Sequence, residues 1–210
     1  MVIYNIMTRI FVISMQTETG LKRRKRLNYD YEWFKATDDS LNIIKDKMIH
    51  FWSAGQKNRK GKNGVMDSYY RLYKKIYDEK INDCIIVEDD CFKIDLPDKM
   101  PDKICYLNGT FINAKGWKKY NEFSKNKGLN EIDYSTSRIL GCWGIYIPKF
   151  NDVLPIINMI ENSKRLRAID IMLMKHQIIK NYYYPSCFYS DDFGYSQIGN
   201  KITGIHKNYK

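Results

Sequence analysis

The 210-residue sequence has no hydrophobic run long enough to cross a membrane. Its longest apolar stretch, residues 10–15, is far shorter than the ~20 residues that a transmembrane helix needs. A secretory signal peptide requires a basic start, an apolar run and a small-residue cleavage site, and the polar residues after position 15 do not supply that site. We therefore expect a protein without a transmembrane segment that works in the cytoplasm, or in the host cytoplasm if the source is a virus.

Cysteines are too few and too irregularly spaced for a disulfide framework or a zinc site. The five cysteines form an odd set without a Cys-x-x-Cys pair, which predicts reduced and buried thiols. The chain also lacks internal repeats and linkers, so it predicts a single domain over residues 1–210. An apolar content of 44% is high enough to exclude a disordered chain, because burial can offset the entropy lost on ordering.

Positive charge is abundant, with a formal net charge of +11. It is concentrated in two blocks, residues 22–26 and 57–62. Such blocks attract polyanions, which leaves nucleic acid, an anionic membrane face and a nucleoside diphosphate as candidate partners. A solvated run of charge without a partner is the alternative for each block.

Strand and helix patterns alternate along the chain. Strands are predicted at residues 9–14, 29–36, 84–87, 104–108 and 141–147, and helices at residues 65–77, 151–162 and 167–180. Residues 55–64, which are basic and rich in Gly and Asn, predict an exposed loop and a candidate lid. This order indicates an α/β domain with a central mixed, mostly parallel sheet flanked by helices, and a ligand site beyond the carboxyl ends of the strands.

Three consecutive acidic residues follow the most buried of the predicted strands. Glu88, Asp89 and Asp90 come directly after a Cys-Ile-Ile-Val run. Like charges so close together raise one another's pKa unless a cation lies nearby, and Mg²⁺ or Mn²⁺ is the natural one because both prefer oxygen ligands and share their shell with phosphates. A solvated strand end is the alternative, but the position at the mouth of a sheet favours a metal and nucleotide site.

The surrounding motifs resemble those of glycosyltransferase family 25, the lipopolysaccharide-biosynthesis and collagen-galactosyltransferase type. The family pattern Gly-x-x-Gly-x-x-x-Ser-His, followed by an apolar strand and Glu-Asp-Asp, is matched by residues 61–69 and 85–90, except that Tyr69 stands in place of the His. Weaker similarities lie elsewhere in the chain: the first strand with the Arg23-Arg24 pair after it, the Ala36-Thr37-Asp38 segment, the strand at Gly144, the Ala168-Ile169-Asp170 segment, and the closing Tyr-Pro and Ser-Gln-Ile.

The resemblance implies a GT-A-like, Rossmann-type fold and a hexosyltransferase-type activity. It implies a nucleotide-sugar donor, often a UDP-sugar, with Mn²⁺ or Mg²⁺ as cofactor and inversion at the anomeric carbon. The expected donor-binding half covers about residues 8–110 and the acceptor-side half about residues 111–210, with a glycan or glycoprotein acceptor. Small viral transferases share the layout, so a viral or bacterial source is expected.

The resemblance also suggests roles for particular residues. The candidate metal ligands are Asp90, Glu88 and His206. The candidate general base is Asp170, with Asp191 or Asp192 in reserve. The candidate donor contacts are Ser14, Arg23, Arg24, Asp38, Gly64, Ser68, Glu88 and Asp89. Arginine suits phosphate because its guanidinium donates two parallel hydrogen bonds. Asp170 has a helix N-cap as its alternative role, and His206 a place in a frayed tail.

Two other functions remain open at this point. Basic loops and an acidic metal site would also serve a metal-dependent enzyme that acts on nucleic acid, although no clear second pair of acidic ligands follows the strand at Ile104 and a nucleic-acid partner is not expected. A GT-A-like domain that binds without catalysis is the other possibility, because the family His is replaced by Tyr69.

Overall fold

A computed structural model of the chain describes residues 8–37, 44, 59–113 and 126–190. In these residues it contains the following elements: β1 (Arg9–Ser14), α1 (Glu18–Arg24), β2 (Glu32–Lys35), α2 (Arg59–Asp78), β3 (Cys84–Glu88), β4 (Cys91–Lys93), β5 (Cys105–Asn113), β6 (Gly128–Glu131), β7 (Ser137–Ile147), a 3-10 helix (Phe150–Val153), α3 (Leu154–Asn162), α4 (Ile169–Lys175), β8 (Asn181–Tyr184) and β9 (Phe188–Ser190). The predicted strands and helices are present in the predicted order, but β4 and β6 were not predicted, and the helix expected over residues 167–180 ends at Lys175.

One seven-stranded sheet, in the order β2-β1-β3-β7-β5-β8-β6, forms the centre of the protein. The α/β architecture with a mixed sheet is confirmed. The expected excess of parallel pairs is wrong: β1 pairs in parallel with β2 and β3, and β5 with β8, but β7 runs antiparallel to both β3 and β5 and β6 runs antiparallel to β8. Two parallel neighbouring strands need a crossover connection, which is usually a helix. The described residues between β3 and β7 contain no helix, in agreement with the antiparallel pairing of these two strands.

Strand β3 is buried on both faces of the sheet, as its apolar run predicted. Cys84 and Ile86 belong to one hydrophobic cluster, whereas Ile85 and Val87 belong to the other. Side chains alternate along a strand, so each cluster lies on its own face. Helices α2, α3 and α4 supply the first cluster, and the second includes residues of the segment before β2 and of the small β4-β9 sheet.

Helix α2 begins at Arg59, so the expected loop at residues 55–64 is wrong for residues 59–64. Residues 55–58 lie outside the described part of the chain. The glycines of this segment suggested a loop, because glycine lowers helix stability by about 1 kcal/mol relative to alanine. Gly64 is needed for another reason: a Cβ atom there would lie 2.8 Å from the carbonyl oxygen of Thr37. The helix and the end of β2 therefore approach more closely than any larger residue would allow.

None of the helices in the described residues is long and apolar enough to cross a membrane.

Candidate active site

The acidic triplet lies at the carboxyl end of β3, beside the carboxyl end of β1. Ile13 of β1 is in register with Glu88, and β1 ends one residue later at Ser14. On the other side of β3, strand β7 runs antiparallel with Ile145 opposite Ile86. Continuing that register brings the residues of β7 around Gly141 level with the triplet. The site therefore opens at the edge where α/β proteins bind ligands.

Asp89 is the member of the triplet that is paired with basic and hydroxyl groups of the protein. Ser14 donates its hydroxyl to Asp89 Oδ2 at 2.6 Å, and Arg23 Nη1 donates to Oδ1 at 3.1 Å. Arg24 Nη1 in turn donates to Ser14 Oγ at 2.7 Å. Asp89, Ser14 and Arg24 are all buried. This bonding holds the end of β3 against β1 and α1.

Arg24 is directed into the fold. It also donates to the carbonyl oxygen of Met15 at 2.9 Å, and its guanidinium lies 4.2 Å from the ring of Trp33. The indole nitrogen of Trp33 donates to the carbonyl oxygen of Ser14 at 3.0 Å. Arg24 thus supports Ser14 and the edge strand β2, while direct contact of Arg23 or Arg24 with a diphosphate stays a prediction.

The short helix α1 brings both arginines to the site. Thr17 caps it by accepting a hydrogen bond from the backbone nitrogen of Gly20 at 3.1 Å. A Cβ atom at Gly20 would lie 2.2 Å from the carbonyl oxygen of Met15. Only glycine lets α1 turn back this closely on the end of β1.

Glu88 and Asp90 form no ion pair with any basic residue in the described part of the chain. Tyr69 donates its hydroxyl to Glu88 Oε1 at 3.3 Å. Burial, and then the charges of Asp90 and Asp89, raise the pKa of Glu88 to about 8. Burial and the charge of Asp89 raise the pKa of Asp90 to about 6, against a smaller lowering by Arg23. When ionised, these two carboxylates carry negative charge that no ion pair among the described residues compensates.

Asp170 lies close enough to this site for its charge to add to the rise in the pKa of Glu88. Gly141 of β7 donates its backbone nitrogen to Asp170 Oδ2 at 3.1 Å, and the backbone nitrogen of Ile171 donates to Oδ1 at 2.7 Å. The N-cap of α4 is Ala168, so the N-cap alternative for Asp170 is wrong. Asp170 occupies the first turn of the helix and is partly exposed beside the acidic triplet.

Gly64 and Ser68 contact the end of β2 and make no described contact with the triplet. Ser68 Oγ accepts a hydrogen bond from the backbone nitrogen of Thr37 at 2.7 Å and donates to the carbonyl oxygen of Gly64. Both residues therefore fix the backbone immediately before Asp38. Their expected donor contact, and that of Asp38, which lies outside the described residues, stay predictions.

A buried carboxylate that the sequence analysis missed strengthens the same junction. Asp67, which has no exposed surface, accepts hydrogen bonds from Thr37 Oγ1 and from Arg71 Nε, the latter at 3.1 Å. Arg71 also donates to the carbonyl oxygen of Lys35 at 2.9 Å. The signal in the sequence was an acidic and a basic residue four positions apart on the apolar face of a helix.

The described residues hold no cluster of three His, Cys, Asp or Glu side chains arranged to bind a metal ion. Two of the predicted metal ligands, Glu88 and Asp90, lie two positions apart in the chain at the mouth of the sheet. The third, His206, and the reserve base Asp191 lie outside the described residues. The structure thus brings together Ser14, Arg23, Glu88, Asp89, Asp90 and Asp170.

A mixed α/β sheet with an acidic triplet at the carboxyl end of a central strand defines a domain of the GT-A-like class. The family model of glycosyltransferase family 25, described as an LPS biosynthesis protein, matches residues 7–139. That match covers more than half of the chain, so the chain belongs to glycosyltransferase family 25 and is a glycosyltransferase, with a sugar donor and an acceptor as its substrates. A search of curated proteins returned no match.

Proposed function

We propose that this glycosyltransferase uses a divalent cation, Mn²⁺ or Mg²⁺, and a nucleoside diphosphate sugar, in the first place a UDP-sugar. The acceptor is a hydroxyl group of a glycan or glycoprotein, and transfer inverts the anomeric carbon. The observation that carries the proposal is the pair of uncompensated carboxylates, Glu88 and Asp90, at the mouth of the sheet.

These residues fit a hard divalent cation. Mg²⁺ and Mn²⁺ sites commonly use one or two carboxylates and complete their shell with phosphate oxygens and water, so Glu88 and Asp90 supply enough protein ligands. Because each carboxylate is desolvated and repelled by its neighbours, a cation removes an existing electrostatic cost. Bound there, the metal would stabilise the charge on the departing diphosphate.

The donor side of the site is the crevice between β1 and β3. In open α/β sheets, nucleotides bind where strand order diverges, and here β1 leads to β2 on one side and to β3 on the other. Arg23 lies at this crevice with its side chain 16% exposed, and it is already oriented by Asp89. Asp89, Ser14 and Arg24 therefore shape the crevice, and Arg23 is the basic group nearest to a bound diphosphate.

The acceptor side lies across β3, where Asp170 projects from α4. Inversion needs a general base that accepts the proton of the acceptor hydroxyl as the sugar transfers. Asp170 has both carboxylate oxygens oriented by backbone nitrogens, and it stands within electrostatic reach of Glu88. We assign it the role of base, with Asp191 as the alternative.

The test is thermal unfolding with a panel of nucleoside diphosphates, each with and without Mn²⁺, for wild type, Glu88→Gln and Asp90→Asn. Ligands that bind only the native state raise the melting temperature. We expect a Mn²⁺-dependent rise with UDP that both variants lose and that Asp98→Asn, at an exposed position, retains. A rise that needs no metal, or that survives in Asp90→Asn, contradicts the metal site, and a rise with a DNA duplex alone contradicts the donor.

A further inference from the structure

The turn between α3 and α4 carries three basic side chains, Lys164, Arg165 and Arg167, and all three are exposed. The turn is anchored at two points: Leu166 has no exposed surface and Ile169 is 3% exposed, both within the main hydrophobic cluster. The cations therefore project from a backbone that the core holds in place. We call these three side chains the basic turn.

The basic turn forms no ion pair with an acidic side chain among the described residues, unlike Lys22 and Lys75. Lys22 pairs with Glu18 on the surface of α1, and Lys75 of α2 pairs with Glu79, the residue that follows the helix. The nearest carboxylate before the turn, Glu161, accepts a hydrogen bond from the hydroxyl of Tyr70 at 2.8 Å. Three positive charges within four residues are thus left without a counter-charge from the described chain.

The basic turn stands three to six residues before Asp170 of the candidate active site. It leads directly into α4, whose first turn carries Asp170, and Asp170 is bonded to Gly141 at the level of the acidic triplet. This position is on the β7 side of β3, across the site from Arg23 and the crevice between β1 and β3. A ligand held by the basic turn therefore approaches Asp170 from the acceptor side.

We propose that the basic turn is an acceptor subsite that selects a negatively charged glycan, one bearing carboxylate, phosphate or sulfate groups. The proposal rests on the proposed function, because it takes Asp170 as the side that receives the acceptor. Exposed single ion pairs are weak, but three cations on a fixed backbone bind an anion together and also steer its approach. Removal of all three should lower affinity for an anionic glycan about tenfold.

The experiment compares two tetrasaccharides of equal length on the full chain. One is a hyaluronan tetrasaccharide with two carboxylates, and the other is the neutral tetramer of N-acetylglucosamine. The variant replaces Lys164, Arg165 and Arg167 together by Gln, which removes charge but keeps polar side chains of moderate length. The control replaces Lys99, Lys103 and Lys127 by Gln, which removes the same charge from three exposed positions elsewhere. Melting temperatures establish that both triple variants are folded.

We expect wild type to bind the anionic tetrasaccharide about tenfold more tightly than the neutral one, with added salt weakening the preference. The basic-turn variant should lose this preference and the control should keep it. Equal binding of the two sugars by wild type overturns the proposal. An equal loss in both triple variants also overturns it, because bulk charge then explains the effect. Displacement of the tetrasaccharide by a short DNA duplex at lower concentration overturns it in favour of a nucleic-acid surface.

UDP with Mn²⁺, measured on the same samples, separates this proposal from the proposed function. If the basic-turn variant loses UDP binding, the cations serve the donor and the acceptor assignment is wrong. If UDP binds normally but the anionic preference is absent, the acceptor proposal fails and the proposed function stands. If UDP does not bind wild type while the anionic preference depends on the basic turn, the anion subsite stands and the donor assignment fails.

Discussion

The three acidic residues of the triplet should separate into one that holds the fold together and two that bind ligands. Asp89 accepts hydrogen bonds from Ser14 and Arg23 and is 8% exposed. By contrast, burial and the charges of neighbouring carboxylates raise the pKa of Glu88 and of Asp90. We therefore predict that Asp89→Ala destabilises the protein strongly, and that Asp90→Ala leaves stability unchanged or slightly improved in the absence of metal.

The magnitude follows from the bonds that Asp89→Ala removes. Hydrogen bonds to a charged group contribute about 1.5–3 kcal/mol each, and removing one partner of a buried ion pair costs about 3–5 kcal/mol. Arg23 is 16% exposed and keeps some access to water, so we take the lower end, about 3 kcal/mol. For a chain of this size, 1 kcal/mol shifts the melting temperature by about 2–4 °C, which predicts a fall of about 6–12 °C.

The assay is urea denaturation with a chelator present, together with a double-mutant cycle that combines Asp89→Ala and Ser14→Ala. The cycle should yield a coupling energy of about 1–2 kcal/mol, because Ser14 donates directly to Asp89. The reasoning is refuted if Asp89→Ala costs less than about 1 kcal/mol, or if Asp90→Ala costs as much as Asp89→Ala.

Three further predictions concern other parts of the site. Gly64→Ala should lower the free energy of unfolding by about 1–3 kcal/mol in chemical denaturation, because the new Cβ would lie 2.8 Å from the carbonyl oxygen of Thr37; an increase would mean that the contact relaxes freely. Tyr69→Phe should weaken Mn²⁺-dependent UDP binding with little change in melting temperature, whereas Tyr73→Phe, one helical turn away, should not; equal effects would argue against a role for the Tyr69–Glu88 hydrogen bond. The raised pKa of Glu88 means that the folded protein holds a proton that the unfolded chain releases, so metal-free stability should fall as pH rises from about 4.5 to about 8 and then level off. Glu88→Gln should flatten this dependence on pH. If the melting temperature depends on pH in the same way in wild type and in Glu88→Gln, then Glu88 is ionised in the fold.

The central strand and its acidic end could be predicted from the sequence because both depend on local patterns. A continuous apolar run is typical of a strand covered on both faces, and β3 has that burial. The helical spacing after Gly64 likewise predicted the face of α2 that packs on the sheet. Such patterns require only that neighbouring residues share one environment.

Other features depend on contacts between distant residues and left little local signal. Strands β4 and β9 have three residues each, too few for a periodic pattern. Gly64 suggested a loop. Glycine is required at this helical position because the backbone of Thr37, from a distant segment of the chain, packs against it. The sequence also grouped Arg23 and Arg24 as one phosphate clamp, but adjacent helical positions point in different directions, so one contacts Asp89 and the other Ser14.

Strand β7 has a consequence for how this protein can be divided. The family match ends at residue 139, only three residues into β7, and the residues that pair with β3, Ile145–Ile147, come afterwards. A fragment that stops at the end of the match would expose the edge of β3 and would lack most of β7, the strand that pairs with β5. Unpaired strand edges of this kind promote aggregation. A shorter version of the enzyme should therefore retain β7 to its last residue, or receive the missing segment as a separate peptide that restores the sheet by strand addition.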